Sequence, residues 1–311
     1  MDRYHLLQEL GQGSHGKTFV AVCKGRYVAM KIVCSEDLVD AAEAYVMTHI
    51  GAHPGIANLL DAWLSPYWVA LAMDLAGQSI WSFLLAVCPP VEEFFLEMCS
   101  QLGAGLAHIH LQEILHRDIH LKNMCVQEQA GGYSFRLIDF GMARHCPGTR
   151  ADPVAVLSLS GKVLPKESRP PEIWFAPKTS FHENNWIAAR SARYGMALDI
   201  WAFAVALLDA HTVHEGAGFF FGGENEKTSA KVILSFLGAP ETSLPPAQIA
   251  QIRKLAQELS DAPKQSHHRN ARLEKIKQFA PNLSEAVGQL ITRSLVWSPS
   301  ARPLANEFVL S

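Results

Sequence analysis

Three glycines near the start of the chain, Gly11, Gly13 and Gly16 in "GQGSHGKTFV", are followed by strand residues and not by a helix. That order limits what the chain can become. A dinucleotide-binding βαβ unit needs its glycine turn to open a helix whose N-terminus receives the phosphates. Here "TFVAV" (18–22) and "YVAMKIV" (27–33), parted by the turn "CKG", read as a β-hairpin. A glycine loop at the tip of a hairpin lies over a phosphate as a lid, because glycine lets the backbone come close and present its N–H groups. Taken alone, the spacing is equally that of a glycine-rich turn, so the rest of the chain has to decide.

The hairpin is followed by a helix over about 40–49 and a buried strand over 67–73. The pattern then changes at "AGQS". Phe94, Phe95, Met98, Leu102, Leu106 and Ile109 fall three or four apart, which predicts an amphipathic helix over 91–110. "ALDIWAFAVALL" is apolar on every side and predicts a helix buried on all faces. From Ala247 onward the chain reads as helical. The expected class is α+β, with a small β-rich N-terminal lobe (1–76), a hinge at 74–77 and a larger α-helical C-terminal lobe (77–311). A chain of 311 residues, 49% hydrophobic, suits two lobes better than one core and is too apolar for disorder.

The charge balance excludes some partners. A formal net charge of -3 leaves no broad basic field, so nucleic acid and anionic membrane are not expected. The basic stretch 264–277 lacks interleaved aromatics and reads as a solvated face. The apolar run "WAFAVALLDA" is too short for a bilayer and meets Asp209. The mixed, charged start "MDRYHLLQEL" is no signal peptide, so the expected location is intracellular, cytoplasmic or nuclear. The six cysteines form no CxxC pair and no zinc-spaced cluster, and are expected to be reduced core residues.

Several polar residues carry chemistry together. On a strand, Ala29 and Lys31 of "VAMK" share a face, which suits a small residue beside a flat base and an ammonium near phosphates. Glu43 starts the next helix and is placed to pair with Lys31; Asp40-x-x-Glu43 also reads as an N-terminal cap. In "HRDIHLKN", Asp118 is a candidate acceptor for a hydroxyl proton and Asn123 offers an oxygen to a hard cation. Asp139 in "RLIDFG" adds a carboxylate. Mg²⁺ takes oxygen ligands, usually one or two from protein with phosphate and water completing the shell, and Asn123 with Asp139 supply that number. Each residue taken singly is also a plausible Asx turn or loop cap.

The glycine loop, "VAMK", "HRDIHLKN", "DFG", "RPPE" (169–172), "DIW" (199–201) and "SPSARP" with Arg302 stand in an order that resembles eukaryotic protein kinases over essentially the whole chain. The resemblance implies ATP and Mg²⁺ as cofactors, a protein as phosphate acceptor and a bilobal fold. It implies roles for Lys31, Glu43, Asp118, Asn123 and Asp139, with Met73 as gatekeeper and Asp74 and Ala76 offering hinge backbone groups to adenine. It implies an internal Glu172–Arg302 pair and an Asp199 that braces the catalytic loop. "FFFGGENEKTSAKVILSFLGAP", "DFGMAR" and Arg169 are similar to cyclin-dependent and MAP kinases, although the helix around Glu43 does not resemble a cyclin-binding helix. No regulatory subunit is legible.

Four positions depart from the family pattern. Thr18 stands where a Val roofs the base, Cys125 where a Leu sits beneath it, and Pro165 where serine/threonine kinases carry Thr. His120 replaces the lysine that contacts phosphate. Losing one charge-assisted hydrogen bond, about 1.5–3 kcal/mol, slows transfer roughly ten- to a hundredfold without abolishing it. A protonated His120, or Lys122, stands as the substitute cation. The reading is a serine/threonine kinase, with tyrosine or dual specificity, a pseudokinase scaffold and a small-molecule kinase as alternatives. Ser160 occupies the position of an activating phosphosite for another kinase, with Arg117 and Arg144 as the clamp; an unmodified loop serine is the equal alternative.

Overall fold

Strand alternation sorts the N-terminal residues into two faces. The computed structural model describes residues 3–13, 16–34, 41–87, 92–149, 157–160, 164–174, 191–213, 219–240, 244, 246–258 and 269–310; of 157–160 and 191–194 it describes the backbone only. Five antiparallel strands, β1 (His5–Gly13), β2 (Gly16–Cys23), β3 (Arg26–Cys34), β4 (Leu59–Leu64) and β5 (Trp68–Asp74), form one sheet in the order β1-β2-β3-β5-β4. Ala21, Val28, Met30, Ala70 and Ala72 are buried together on the outer face, packed by Tyr4, Trp63 and Trp68. Lys24 and Gly25, with φ of 50° and 77°, make the β2–β3 turn, so the strands run further into "CKG" than the sequence suggests.

The other face looks into the molecule. Thr18 lies opposite Lys31 and Lys31 opposite Leu71, while Val20, Ala29 and Met73 form the next row. Residues opposite one another on paired strands point the same way, so these side chains share the inner face. α1 (Ala41–Ile50) closes over it, and its Val46 and Met47 join Val69, Leu71 and Met73 in the main core.

After β5 the chain crosses to a largely helical region through β6 (Gln78–Ser79) and α2 (Ile80–Ala86). Gly77, at φ 94°, is required there, since a Cβ would sit 2.2 Å from the Val126 carbonyl oxygen. α3 (Glu92–Leu111) buries Phe94, Phe95, Met98, Leu102, Leu106 and Ile109, the residues whose spacing predicted it. The strand β7 (Ile114–Leu115) and the hairpin β8 (Met124–Gln129) and β9 (Gly132–Leu137) follow, then β10 (Arg144–His145), which pairs with β7. β11 (Leu157–Ser160) pairs with β12 (Ser191–Tyr194), with the short α4 (Pro171–Trp174) between them in sequence. Every residue of α5 (Met196–Ala210) is buried, as an all-round apolar sequence requires. α6 (Glu226–Leu237), α7 (Pro246–Glu258), α8 (Arg269–Phe279) and α9 (Glu285–Ser294) complete the region; the helical stretch expected after Ala247 divides into three helices. Among the described residues no helix is long and apolar enough to cross a membrane.

The cysteines need one correction. Cys99, Cys125 and Cys146 are buried, but Cys34 is exposed and Cys23 half-buried; Cys88 lies outside the described residues. Cys34 ends β3, paired with Trp68 of β5 but past Ile32, the last residue that β2 covers.

Candidate active site

The site grows from two buried charges on different elements. Lys31 projects from the inner face of β3, and its Nζ lies 2.8 Å from Glu43 Oε2 on α1 and 2.9 Å from Asp139 Oδ1. Burial alone would pull the ammonium down, but the two carboxylates outweigh it and hold Lys31 above its ordinary value. Burial likewise pushes Asp139 up, yet Lys31 brings its carboxyl below the usual range. The capping alternative for Glu43 cannot be compared, because Asp40 lies outside the described residues.

Asp139 reaches Lys31 because its backbone is bent. Its φ is 61°, a left-handed value that costs about 1–3 kcal/mol in a non-glycine residue and has to be held from outside. The preceding Ile138 is held on both sides. Its N–H donates to the Asn123 carbonyl at 3.0 Å, and its carbonyl lies 3.1 Å from His116 Nε2. The buried Phe140 packs 4.9 Å from the His116 ring. His116 also receives the Asp118 N–H on Nδ1 at 3.3 Å, so the neutral ring carries its proton on Nε2. This residue was quoted in the sequence without a role, and the fold gives it one: it ties the Asp139 turn to the Asp118 turn.

The catalytic-loop candidate is held from below by α5. Asp199, wholly buried, accepts the N–H of His116 at 2.8 Å and of Arg117 at 2.9 Å, and lies 3.0 Å from His110 Nε2. Arg117 has φ 68°, so Asp199 clamps a second strained turn. Burial pushes the Asp199 carboxyl up, and His110, His116 and the Arg117 N–H bring it below its ordinary value. Within the loop, the Asn123 amide donates to the Asp118 carbonyl at 3.0 Å and to Asp118 Oδ2 at 2.8 Å. A continuous set of contacts therefore runs from Asp118 through Asn123 and Ile138 to Asp139, Lys31 and Glu43.

His120 and Lys122 part company here. His120 Nδ1 accepts the Lys122 N–H at 3.3 Å, and its Nε2 stands 3.5 Å from Asp118 Oδ1. At that length the contact is electrostatic more than a hydrogen bond. The Lys122 ammonium instead stands 5.5 Å from the centre of the Trp81 ring on α2. The structure does not bring Lys122 to this group, against the expectation that it replaces the phosphate-contacting lysine; the turn Leu121–Asn123 points it toward α2.

The remaining candidates line the space between sheet and helices. Ala76 and Cys125 are buried with Ala57 and packed by Ile138, forming an apolar floor. Burial raises the Cys125 thiol to about 12, so it acts as a small apolar group. Thr18, half-buried, and Ala29 face the space from above, and Met73 packs into the core at its back. Gly16, at φ 124°, is required, since a Cβ would meet the Ile32 carbonyl at 2.4 Å. Gly11 and Gly13 lie in β1, and among the described residues nothing within 4 Å would meet a Cβ on Gly11. Asp74, expected to contribute only its backbone, also pairs with Arg26 at 2.6 Å and accepts from Asn58 Nδ2 at 2.8 Å, which fixes the hinge to the starts of β3 and β4. No signal in the sequence marked Asn58 or Arg26.

The donor set fits a hard cation beside phosphate. The Asn123 nitrogen is engaged by Asp118, leaving its carbonyl oxygen; Asp139 Oδ1 is engaged by Lys31, leaving Oδ2. One amide oxygen and one carboxylate oxygen are the ligand chemistry Mg²⁺ accepts. Further away, Arg302 grips Glu172 with two bonds of 2.7 Å and donates to the Ala197 and Val296 carbonyls. Arg117 Nη1 donates to the Met142 carbonyl at 3.1 Å and Arg144 Nη1 to the Ala143 carbonyl at 2.6 Å. The side chain of Ser160 lies outside the described residues, so the clamp expected around it is not described.

The chain is similar in sequence to known proteins along nearly its whole length. The family described as "Protein kinase domain" matches residues 4–310. "Sporulation protein kinase mde3" of Schizosaccharomyces pombe is 26% identical over 330 residues, spanning 98% of this chain and 53% of that protein. "Cyclin-dependent kinase F-4" of Oryza sativa subsp. japonica is 23% identical over 315 residues, spanning 99% of this chain and 60% of that protein. "Serine/threonine-protein kinase pkn2" of Myxococcus xanthus is 31% identical over 153 residues, 46% of this chain and 18% of that protein. The chain thus spans at most 60% of these three relatives.

Proposed function

The chain belongs to the protein kinase domain family, and on that premise we propose that it transfers the terminal phosphoryl group of ATP to a serine or threonine hydroxyl of a protein. The observation that carries this reading is Lys31 bridging Glu43 and Asp139 at 2.8 and 2.9 Å. A kinase acts only with the Lys–Glu pair formed and the aspartate turned in toward the metal; the Lys31–Glu43 contact is the first of these, and the approach of Asp139 to Lys31 puts its carboxylate beside the same cleft. The divide between the lobes falls at Asp74–Gly77, where the nucleotide is gripped.

Each residue then has a task. Lys31, aimed by Glu43, offsets charge on the α- and β-phosphates. The backbone groups of Asp74 and Ala76 hold the adenine edge, and Thr18, Ala29, Met73 and Cys125 surround its ring. The glycine loop covers the phosphates. Asn123 and Asp139 hold Mg²⁺, which when bound neutralises charge developing on the phosphoryl oxygens. Asp118 orients the acceptor hydroxyl and takes its proton. Such catalysis is mostly placement and charge neutralisation, which this set supplies. Similarity to the M. xanthus serine/threonine-protein kinase over 46% of this chain supports a serine/threonine acceptor.

Labelled ATP, Mg²⁺ and a degenerate peptide library test the reading. Phosphoserine and phosphothreonine are the expected products. Phosphotyrosine as the main product overturns the choice of acceptor, and binding of ATP with no transfer makes the chain a scaffold.

His120 sets the rate within this scheme. Its imidazole stands 3.5 Å from Asp118, where the family has a lysine for phosphate. His120→Lys is expected to raise kcat about ten- to a hundredfold, the value of one charge-assisted bond. Steady-state kinetics with any accepted peptide checks this, and an unchanged or lower kcat contradicts it.

A further inference from the structure

The catalytic loop leaves one cation outside the reaction centre. Lys122 is exposed, and no carboxylate pairs with it among the described residues. Lys166 and Arg169, by contrast, are turned onto the chain itself, donating to the Gly223 and Leu164 carbonyls. Lys122 stands 5.5 Å above Trp81, and Trp81 stacks on Phe219 with centroids 5.1 Å apart and planes inclined by 18°. Phe219 is 37% exposed. α2 carries no charged residue in Ile80–Ala86. A single positive charge is thus fixed over an aromatic step, on the short turn that follows Asp118.

On the kinase reading above, we propose that Lys122, held over Trp81, forms a substrate subsite for a carboxylate side chain close to the acceptor hydroxyl. Position sets how close. Three residues of loop and 3₁₀ turn separate Lys122 from Asp118, roughly 10 Å of chain, which about three residues of an extended peptide span. Charge sets the ligand. One ammonium matches one carboxylate, whereas a phosphate dianion calls for more donors. The Trp81–Phe219 surface supports the methylenes of a Glu side chain.

The test uses serine-centred peptides with Glu, Ala, Lys or phosphoserine at each of the three positions on either side of the acceptor. Two ratios are read for every protein: kcat/KM for Glu over Ala peptides, and the corresponding ratio of Kd from fluorescence anisotropy. At one position the wild-type chain is expected to favour Glu about two- to fivefold, the range of an exposed ion pair. The ratio is expected to fall to about one in Lys122→Ala and to turn in favour of the Lys peptide in Lys122→Glu. Because each ratio is taken within one protein, a general loss of activity does not disturb it. A ratio near one at every position in wild type, or one that survives Lys122→Ala, overturns the subsite. A phosphoserine peptide preferred over Glu overturns the choice of carboxylate. If no peptide is phosphorylated at all, the kinase reading fails, while the anisotropy ratios still decide the subsite.

Discussion

Asp118→Asn is expected to keep its affinity for Mg-ATP and to lose phosphoryl transfer about 10²–10⁴-fold, the usual contribution of a positioned general base. The substitution keeps the shape of the side chain. An amide oxygen at the same place still accepts from Asn123 Nδ2, now 2.8 Å from Asp118 Oδ2, so the loop keeps its form. What disappears is the ability to take a proton. Lys31, Glu43 and Asp139 are untouched, because Asp118 reaches them only indirectly: its side chain through Asn123 and Ile138, and its backbone N–H, which the substitution keeps, through His116. ATP titration and single-turnover transfer on the same protein separate the two effects. A transfer rate within tenfold of wild type would remove Asp118 from the role given to it, and a parallel loss of ATP binding would make its role structural.

Arg302→Leu is expected to destabilise the chain by about 3–5 kcal/mol, since removing one partner of a buried pair leaves the other charge uncompensated. The pair is deep: the Arg302 side chain is wholly inaccessible and Glu172 nearly so. Arg302 also donates to two carbonyls and stacks 5.1 Å from Trp201, joining α4, the start of α5 and the C-terminal segment. At roughly 1.5 °C per kcal/mol for a chain of this length, the melting temperature is expected to fall by about 5–8 °C. Adding Glu172→Leu is expected to restore much of the loss, because a buried pair replaced by apolar groups is often neutral. A single substitution that shifts the midpoint by less than about 2 °C, or a double substitution worse than the single, contradicts this account of the pair.

The candidate site residues were legible because chemistry restricts residue type. Lys31, Glu43, Asp118, Asn123 and Asp139 stand in the sequence as an ordered set, and the fold brings them into one chain of contacts. The helices α3 and α5 were legible because burial imprints a pattern: one face for α3, every face for α5. β1 was not legible as a strand. It lies at the sheet edge with Leu6, Leu7 and Leu10 exposed, so no alternation of burial marks it. The pairing of β11 with β12 joins segments far apart in sequence, and no local signal announces such a partner. The destination of Lys122 was also hidden. Its neighbours in sequence suggested phosphate, and only the packing of α2 against the loop sends it to Trp81. The role of His116 was hidden for the same reason, since its partner Ile138 is set by the tertiary fold.

The most direct measurement is a calorimetric titration of the chain with ATP, with Mg²⁺ present and again with the metal removed by EDTA. The account predicts binding that is markedly tighter with Mg²⁺ and that loses this metal dependence in Asp139→Asn. Failure of ATP to bind, or equal binding with and without the metal, would contradict the assembly of Lys31, Asn123 and Asp139 around a metal-bound nucleotide.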